Sequence, residues 1–182
     1  YNLGSSYTTN MLGMSTKLYA EWGSAFIAPS LSQLFGPFGP NSDLQPETNR
    51  TASIGLELVK NNTTEYTLSF YSRSETNRMI YALIDADTYS YQYLNTDEEF
   101  KAKGLEFFIR QVLSKQLNST LNYTFTELDR EVLRLPKHKV NIQLQATINA
   151  QSTASLNYHY VSSRLDTDFS TFENKSLDAY GL

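Results

Sequence analysis

Long stretches of strict apolar and polar alternation dominate this chain. In residues 140–148 the even positions are Val, Ile, Leu, Ala and Ile, and the odd positions between them are Asn, Gln, Gln and Thr. The same period of two runs through residues 51–58, where Ile54 and Leu56 alternate with Ser53 and Gly55. Successive side chains of a β-strand point to opposite faces of a sheet, so this pattern predicts strands with one apolar and one polar face.

The length of these stretches separates two kinds of all-β protein. Several extend over about 9–11 residues, the length that a tilted strand needs to cross a bilayer. A soluble sandwich also alternates, because one face of each sheet meets water, but its strands usually have about 5–6 residues. The sequence therefore favours an all-β fold of the antiparallel transmembrane β-barrel type. A soluble β-sandwich that acts as a ligand-binding module is the alternative.

Composition narrows the function classes. The chain has no cysteine, which excludes a disulfide framework and thiolate metal sites. The chain has no run of about 18 apolar residues, so no transmembrane helix is predicted. Its 13 tyrosines and 10 phenylalanines suit the aromatic girdles of a membrane barrel. A net charge of -4 without a basic cluster argues against a nucleic-acid partner, and we predict neither a cofactor nor a metal ion.

The alternating stretches predict about nine strands. They cover residues 1–7, 17–26, 51–59, 64–83, 100–112, 117–128, 138–149, 153–163 and 175–182. The connections between them are in turn short (8–15, 60–63, 114–116, 150–152) and long (27–50, 85–99, 129–137, 164–173). Long loops on one rim and tight turns on the other are typical of outer-membrane barrels.

The odd strand count predicts an open arc. Bacterial single-chain barrels have an even number of strands, and their closure leaves no sheet edge. Unpaired backbone groups at an edge cost roughly several kcal/mol each in hydrocarbon. Because the last predicted strand stops at Leu182, we interpret the chain as an arc of a larger barrel. The alternative is a small barrel in which one strand is miscounted.

Four sequence motifs occur in the order found in one known family. They are GSAFIAPSLSQLFG at 23–36, NSDLQPE at 41–47, YLN at 93–95 with KGLE at 103–106, and RLPKH at 134–138. This set resembles the TonB-dependent outer-membrane receptors, with Ser42 and Asp43 at positions where Asn-Pro-x is more usual. Within that family the chain is most similar to vitamin B12 (cobalamin) receptor-like members. Siderophore and haem receptors share much of the pattern.

The resemblance implies a fold, a location and partners. The family fold is a 22-stranded barrel with a globular plug in its lumen, in the outer membrane of a Gram-negative bacterium. Residues 1–182 would form part of this single barrel domain, with the plug domain and the final strands absent from the chain. The implied partners are outer-membrane lipid, a small-molecule ligand (cobalamin or another metal chelate), and TonB, which would bind through an N-terminal segment that the chain lacks.

Two candidate ligand-binding residues lie in the later predicted loops. Arg134 precedes Pro136, and its guanidinium can donate several hydrogen bonds to amide or phosphate oxygens of a ligand. Alternatively, Arg134 pairs with Glu131 or with lipopolysaccharide. Phe169 can stack on a flat ligand, or it packs within its own loop.

Four aromatic candidates lie in the earlier long connections. Tyr89 and Tyr91 belong with Tyr93 to a row of period two, which forms either a ligand wall or an extension of the barrel above the membrane. Phe35 and Phe38 lie in a loop rich in glycine and proline. They either line the barrel mouth or pack within the loop.

Catalysis is not expected, and no catalytic residue is predicted. The chain has two histidines. His138 belongs to the RLPKH motif, which predicts a structural role at the rim, and His159 is predicted in a hydrogen-bonded lumen wall. A triad of His159, Ser162 and Asp166 would need all three side chains together, and no nucleophile motif surrounds Ser162. The acidic residues between 85 and 99 match no calcium-binding loop and are interpreted as solvated charges.

Overall fold

The computed structural model describes residues 1–61, 63–168, 170–171 and 173–182. The strands are β1 (Asn2–Met11), β2 (Met14–Ile27), β3 (Glu47–Lys60), β4 (Thr64–Thr76), β5 (Met79–Asp85), β6 (Ser90–Asn95), β7 (Phe100–Ser114), β8 (Leu117–Leu128), β9 (His138–Asn149), β10 (Ser152–Val161), β11 (Arg164–Asp168), β12 (Glu173–Leu177) and β13 (Tyr180–Gly181), and one short helix, α1, spans Leu31–Phe35. No helix in these residues is long and apolar enough to cross a membrane.

One antiparallel sheet contains nine strands in the order β1-β2-β3-β4-β7-β8-β9-β10-β13. The remaining strands form two separate hairpins, β5–β6 and β11–β12. The predicted all-β antiparallel fold and the strand count of nine are therefore confirmed. The β-sandwich alternative is wrong, because the long strands lie side by side in a single sheet and not in two stacked ones.

Several predicted boundaries are wrong. The predicted last strand, 175–182, is divided between β12 in a small hairpin and β13 in the large sheet, and β6 lies inside the predicted loop 85–99. Three further differences have a local reason. The stretch 64–83 is not one strand, since β4 ends at Thr76 and Asn77 takes a left-handed conformation (φ 58°) before β5 begins. The predicted turn at 8–15 shrinks to Leu12 and Gly13, with φ of 54° and 73°. Positive φ at both residues is what a two-residue hairpin turn requires. Residues 164–173, predicted to be a loop, begin with strand β11.

The register of the sheet aligns the apolar residues of neighbouring strands. One row across seven strands consists of Leu18, Leu56, Leu68, Phe107, Tyr123, Val140 and Tyr160. The adjacent row, one residue along each strand, consists of Lys17, Glu57, Thr67, Phe108, Asn122, Asn141 and His159. The sheet thus has an apolar outer face and a largely polar inner face, and His159 lies on the inner face as predicted.

Apolar side chains on the outer face stay exposed in the part of the chain that the structure describes. Ile54 on β3 is 59% exposed and Leu156 on β10 is 64% exposed. Among the described residues, the buried apolar side chains are Leu44, Phe100, Ala102 and Val161, which lie in or beside the long connections. A soluble domain would bury such a face in a dry core, so this face is suited to hydrocarbon.

The two rims of the sheet differ, as the sequence predicted. On one rim, the connections β1–β2, β3–β4, β7–β8 and β9–β10 have two or three residues. On the opposite rim, the connections contain α1 and both small hairpins. We refer to these as the tight-turn rim and the long-loop rim.

Arginine on the apolar face should destabilise the protein. We expect Leu56→Arg and Leu144→Arg each to lower the free energy of unfolding in lipid vesicles by about 2–4 kcal/mol, the cost of a cation near the bilayer midplane. Gln145→Arg is the matched control, because Gln145 follows Leu144 on β9 and lies on the polar face. Equal effects of the three substitutions would contradict the assignment of faces.

Candidate functional site

The long-loop rim is built from two packed units. The first, the loop–hairpin unit, consists of residues 28–46 and the hairpin β5–β6. The second consists of residues 129–137 and the hairpin β11–β12, and the rim cavity lies between these two segments. Arg134 and the four aromatic candidates lie in these segments. Phe169 lies outside the described residues.

Local sequence determines the conformation of helix α1. Ser30 caps its start, because the Ser30 hydroxyl accepts from the Gln33 backbone N–H at 3.3 Å while the Gln33 side-chain oxygen accepts from the Ser30 N–H at 2.8 Å. This reciprocal pair is a capping box. The Gly36 N–H bonds to the Ser32 carbonyl at 2.9 Å and closes the helix. Phe35 and Phe38 project from this ordered loop and are 70% and 76% exposed.

The loop after α1 is hydrogen-bonded to strand β6. The Tyr93 backbone N–H donates to the Gly39 carbonyl at 2.9 Å, and the Asn41 side-chain amide donates to the Tyr93 carbonyl at 2.9 Å. Gly39 has a positive φ of 56°, and a Cβ there would lie 2.3 Å from the carbonyl oxygen of Tyr91. Glycine is therefore required for this close approach.

Asn95 joins the two halves of the loop–hairpin unit. Its side-chain amide donates to the carbonyls of Gln45 (2.9 Å) and Asn77 (2.7 Å), and its side-chain oxygen accepts from the Gln45 N–H at 2.7 Å. The Glu47 carboxylate accepts from the Met79 N–H at 2.7 Å. The motifs NSDLQPE and YLN, about 50 residues apart in sequence, are thus parts of one hydrogen-bonded structure.

Three tyrosines form a cluster on one face of the β5–β6 hairpin. The Tyr81 ring lies 5.4 Å from that of Tyr91 and 4.8 Å from that of Tyr93, measured between centroids. Tyr89 departs from the predicted row, since it lies in the turn before β6 with a φ of 50° and is 77% exposed. Sequence reasoning missed Tyr81, because its pairing with Tyr93 arises only when the chain reverses between β5 and β6, after Asp85.

The rim cavity has a volume of about 660 Å³. Its lining includes Arg130, Glu131, Lys137, Arg164 and the hydroxyls of Ser162 and Ser163. Arg134 ties the two sides of the unit together. Its backbone N–H donates to the Leu165 carbonyl at 2.7 Å, and its Nε donates to Asp166 Oδ1 at 2.7 Å.

Arg130 and Arg164 are, with Lys137, the cationic residues in the lining of the cavity. Arg130 donates to the Glu99 carbonyl at 2.8 Å and forms ion pairs with Glu98 and Asp129. The Arg164 guanidinium lies 5.4 Å from the centroid of Tyr180, and its buried Nη1 has no hydrogen-bond partner among the described residues. Sequence reasoning missed both arginines, because their positions depend on contacts between loops that are distant along the chain.

Two aspartates beside the cavity are held in their charged form. The hydrogen bond from Arg134, followed by that from the Thr167 N–H, keeps the pKa of Asp166 below its ordinary value. The hydroxyl of Ser170 and then its backbone N–H lower the pKa of Asp168 in the same way. Both carboxylates therefore remain ionised at neutral pH and hold their loop contacts.

The residues of the possible triad have separate partners. The His159 Nδ1 is hydrogen-bonded to Asn141, the Ser162 hydroxyl accepts from the His138 backbone N–H at 3.1 Å, and Asp166 binds Arg134. His138 itself lies beside Phe125 and bonds through Nδ1 to the Tyr123 hydroxyl at 2.9 Å. Within the described ranges, no three His, Cys, Asp or Glu side chains converge in a way that could hold a metal ion.

Comparison with known proteins identifies similar chains. A family model described as TonB dependent receptor-like, beta-barrel matches residues 1–182. The curated protein Vitamin B12 transporter BtuB of Vibrio cholerae serotype O1 is 29% identical over 168 residues, which cover 90% of this chain and 26% of that protein. The chain thus spans about a quarter of the length of this relative.

Solved structures share the fold at low identity. The siderophore receptor PirA from Acinetobacter baumannii superposes with a TM-score of 0.76 at 13% identity, covering 99% of this chain and 33% of that one. The pyoverdine receptor FpvA from Pseudomonas aeruginosa PAO1, solved with pyoverdine bound, gives 0.73 at 15% identity, covering 100% and 28%.

Removing the Asn95 side chain should loosen the loop–hairpin unit. Asn95→Ala deletes three hydrogen bonds, each contributing about 1 kcal/mol or less in an exposed setting. We expect the backbone amides of residues 41–47 to exchange with deuterium about tenfold faster. Asn118→Ala on β8 is the control, and unchanged exchange in Asn95→Ala would contradict the described docking.

The Arg134–Asp166 contact should depend on pH. Because the folded-state pKa of Asp166 is lowered, the contact stabilises the loops above the ordinary aspartate pKa and is lost as the pH falls through the lowered value. At neutral pH, Asp166→Asn should speed amide exchange in residues 129–137, and in strong acid wild type and variant should exchange alike. Exposed Asp178→Asn is the control, and a difference that persists in acid would contradict this linkage.

Proposed function

The chain belongs to the TonB-dependent receptor-like β-barrel family, and on that premise we propose that it forms part of an outer-membrane receptor that takes up a scarce, large ligand. In this proposal, residues 1–182 are one segment of a single barrel domain in a Gram-negative outer membrane. Uptake is energised through TonB, which contacts a part of the receptor outside this chain, and a plug domain fills the lumen.

The observation that supports receptor function most strongly is the ordered long-loop rim. Capping of α1, the Asn95 hydrogen bonds and the Arg134–Asp166 pair order the connections before any ligand arrives. Binding residues are commonly carried on loops that a rigid scaffold positions. An ordered loop also pays less conformational entropy on binding.

The proposed ligand class is a large metal chelate, with cobalamin first and a siderophore or haem as the other candidates. The exposed rings of Phe35, Phe38, Tyr89 and Tyr91 offer flat apolar area, and the two tyrosines add a polar hydroxyl. Arg134, with Arg130 and Arg164 at the rim cavity, offers donors to amide or phosphate oxygens at the edge of such a ligand. Cobalamin comes first because a relative of 29% identity is named a vitamin B12 transporter. Phe169 remains a further candidate.

Truncation of rim aromatics should weaken ligand binding. We expect Tyr91→Ala and Phe38→Ala each to raise the Kd for the proposed ligand about tenfold, because a stacked ring contributes on the order of 1–2 kcal/mol with its buried area. The measurement is equilibrium binding of cyanocobalamin, a ferric siderophore and haem to the detergent-solubilised protein.

The matched control is Tyr7→Ala. Tyr7 is also an exposed tyrosine (66%), but it lies on the apolar face of β1 opposite Leu18. Its loss should leave the Kd unchanged. If none of the three ligands binds, the proposed ligand class is wrong. If the rim variants bind as tightly as wild type, the assigned residues are wrong.

A further inference from the structure

The outer face of the sheet changes from apolar to charged within one step toward the long-loop rim. One outward row, across β3, β4, β7 and β8, consists of Ile54, Phe70, Leu105 and Phe125. The next outward row consists of Ala52, Ser72, Lys103 and Glu127, and the one after it contains Arg50, Ser74 and Lys101. Three cations thus stand directly above a band of apolar side chains.

A cleft of about 320 Å³ lies at this boundary. Its lining includes Ser72, Lys101, Lys103, Glu127 and Asp129. The side chains of Lys101 and Lys103 are 63% and 68% exposed. Their ammonium groups are therefore accessible from the side of the sheet that faces lipid.

The ion pairs of Lys101 and Lys103 leave some of their ammonium N–H donors unused. Lys101 Nζ lies 2.9 Å from a Glu99 oxygen, and Lys103 Nζ lies 3.0 Å from a Glu127 oxygen. An ammonium group has three donors, and exposed ion pairs of this kind contribute only about 0–1 kcal/mol. Each lysine therefore has donors left for a second anion, which competes with the carboxylate already present.

We propose that this cleft binds the phosphate of an outer-leaflet lipid headgroup, with Lys101, Lys103 and the Ser72 hydroxyl as donors and Arg50 as a nearby charge. The inference rests on the membrane location in the proposed function. Anionic lipid headgroups attract Lys and Arg near the membrane surface. The apolar row below the cleft is continuous with it, which places acyl chains beneath a bound phosphate and favours a lipid over a soluble anion.

The carboxylate of Glu127 competes with the phosphate for Lys103, so variants of the lysines and of Glu127 should have opposite effects. Removal of the lysines should weaken lipid binding, whereas removal of the Glu127 charge should strengthen it. If the Lys103–Glu127 ion pair only stabilised the fold, Lys103→Gln and Glu127→Gln would change lipid binding in the same direction.

The test is titration of the detergent-solubilised, complete protein with bisphosphoryl lipid A, followed by native mass spectrometry. We expect the double variant K101Q/K103Q to bind about tenfold more weakly and E127Q to bind several-fold more tightly. K60Q/K115Q is the matched control, since it removes two lysines at the tight-turn rim, and it should bind like wild type. Dephosphorylated lipid A should bind weakly and equally to all variants, and inorganic phosphate should not compete.

Three results would overturn the proposal. Equal weakening in K101Q/K103Q and K60Q/K115Q would mean that overall charge attracts the lipid, and weakening in E127Q would mean that the ion pair is structural. Competition by inorganic phosphate would assign the cleft to a free anion. Cyanocobalamin binding measured on the same variants should be unchanged, so failure of the lipid site and failure of the receptor function can be told apart.

Discussion

The antiparallel hydrogen-bond register is the constraint on which the rest of this structure depends. The strands pair along their lengths, which gives the backbone N–H and C=O groups the internal partners that the proposed bilayer location would require. Once Leu18 pairs with Leu56 and Leu56 with Leu68, a shift of one residue in any strand would turn its apolar set to the lumen. The same register places Lys103 one outward step from Leu105, toward the long-loop rim, where the proposed headgroup site lies.

The long-loop rim is stabilised differently from the sheet. The sheet has no dry core of its own among the described residues, and the buried apolar side chains lie in or beside the long connections. Order in those connections comes from polar contacts between distant segments, such as Asn95 with Gln45 and Arg134 with Asp166. A scaffold held by its backbone can therefore support a rim that varies in sequence, which suits a family whose members are named for different ligands.

Prediction from the sequence succeeded where the signal was periodic. The strand at 138–149 has the same bounds in the structure as β9, because its alternation is unbroken and its ends are marked by turn residues. The break at Asn77 was missed, since residues 79–83 continue the apolar content of β4 while the backbone turns left-handed. Tyr89 also has a left-handed backbone, which takes it out of the row of Tyr91 and Tyr93. Left-handed asparagine and tyrosine residues leave no trace in a hydrophobic pattern.

The sequence by itself determined the fold class, the number of strands in the large sheet, the two faces and the two rims, because each follows from the period of two and from the positions of turn residues. The tertiary structure alone decided which loop residues meet. Asn41 and Tyr93, or Arg130 and Glu98, come together through contacts that span more than thirty residues of chain. Such contacts depend on the geometry of both partners at once, and no local pattern encodes the distance between two loops.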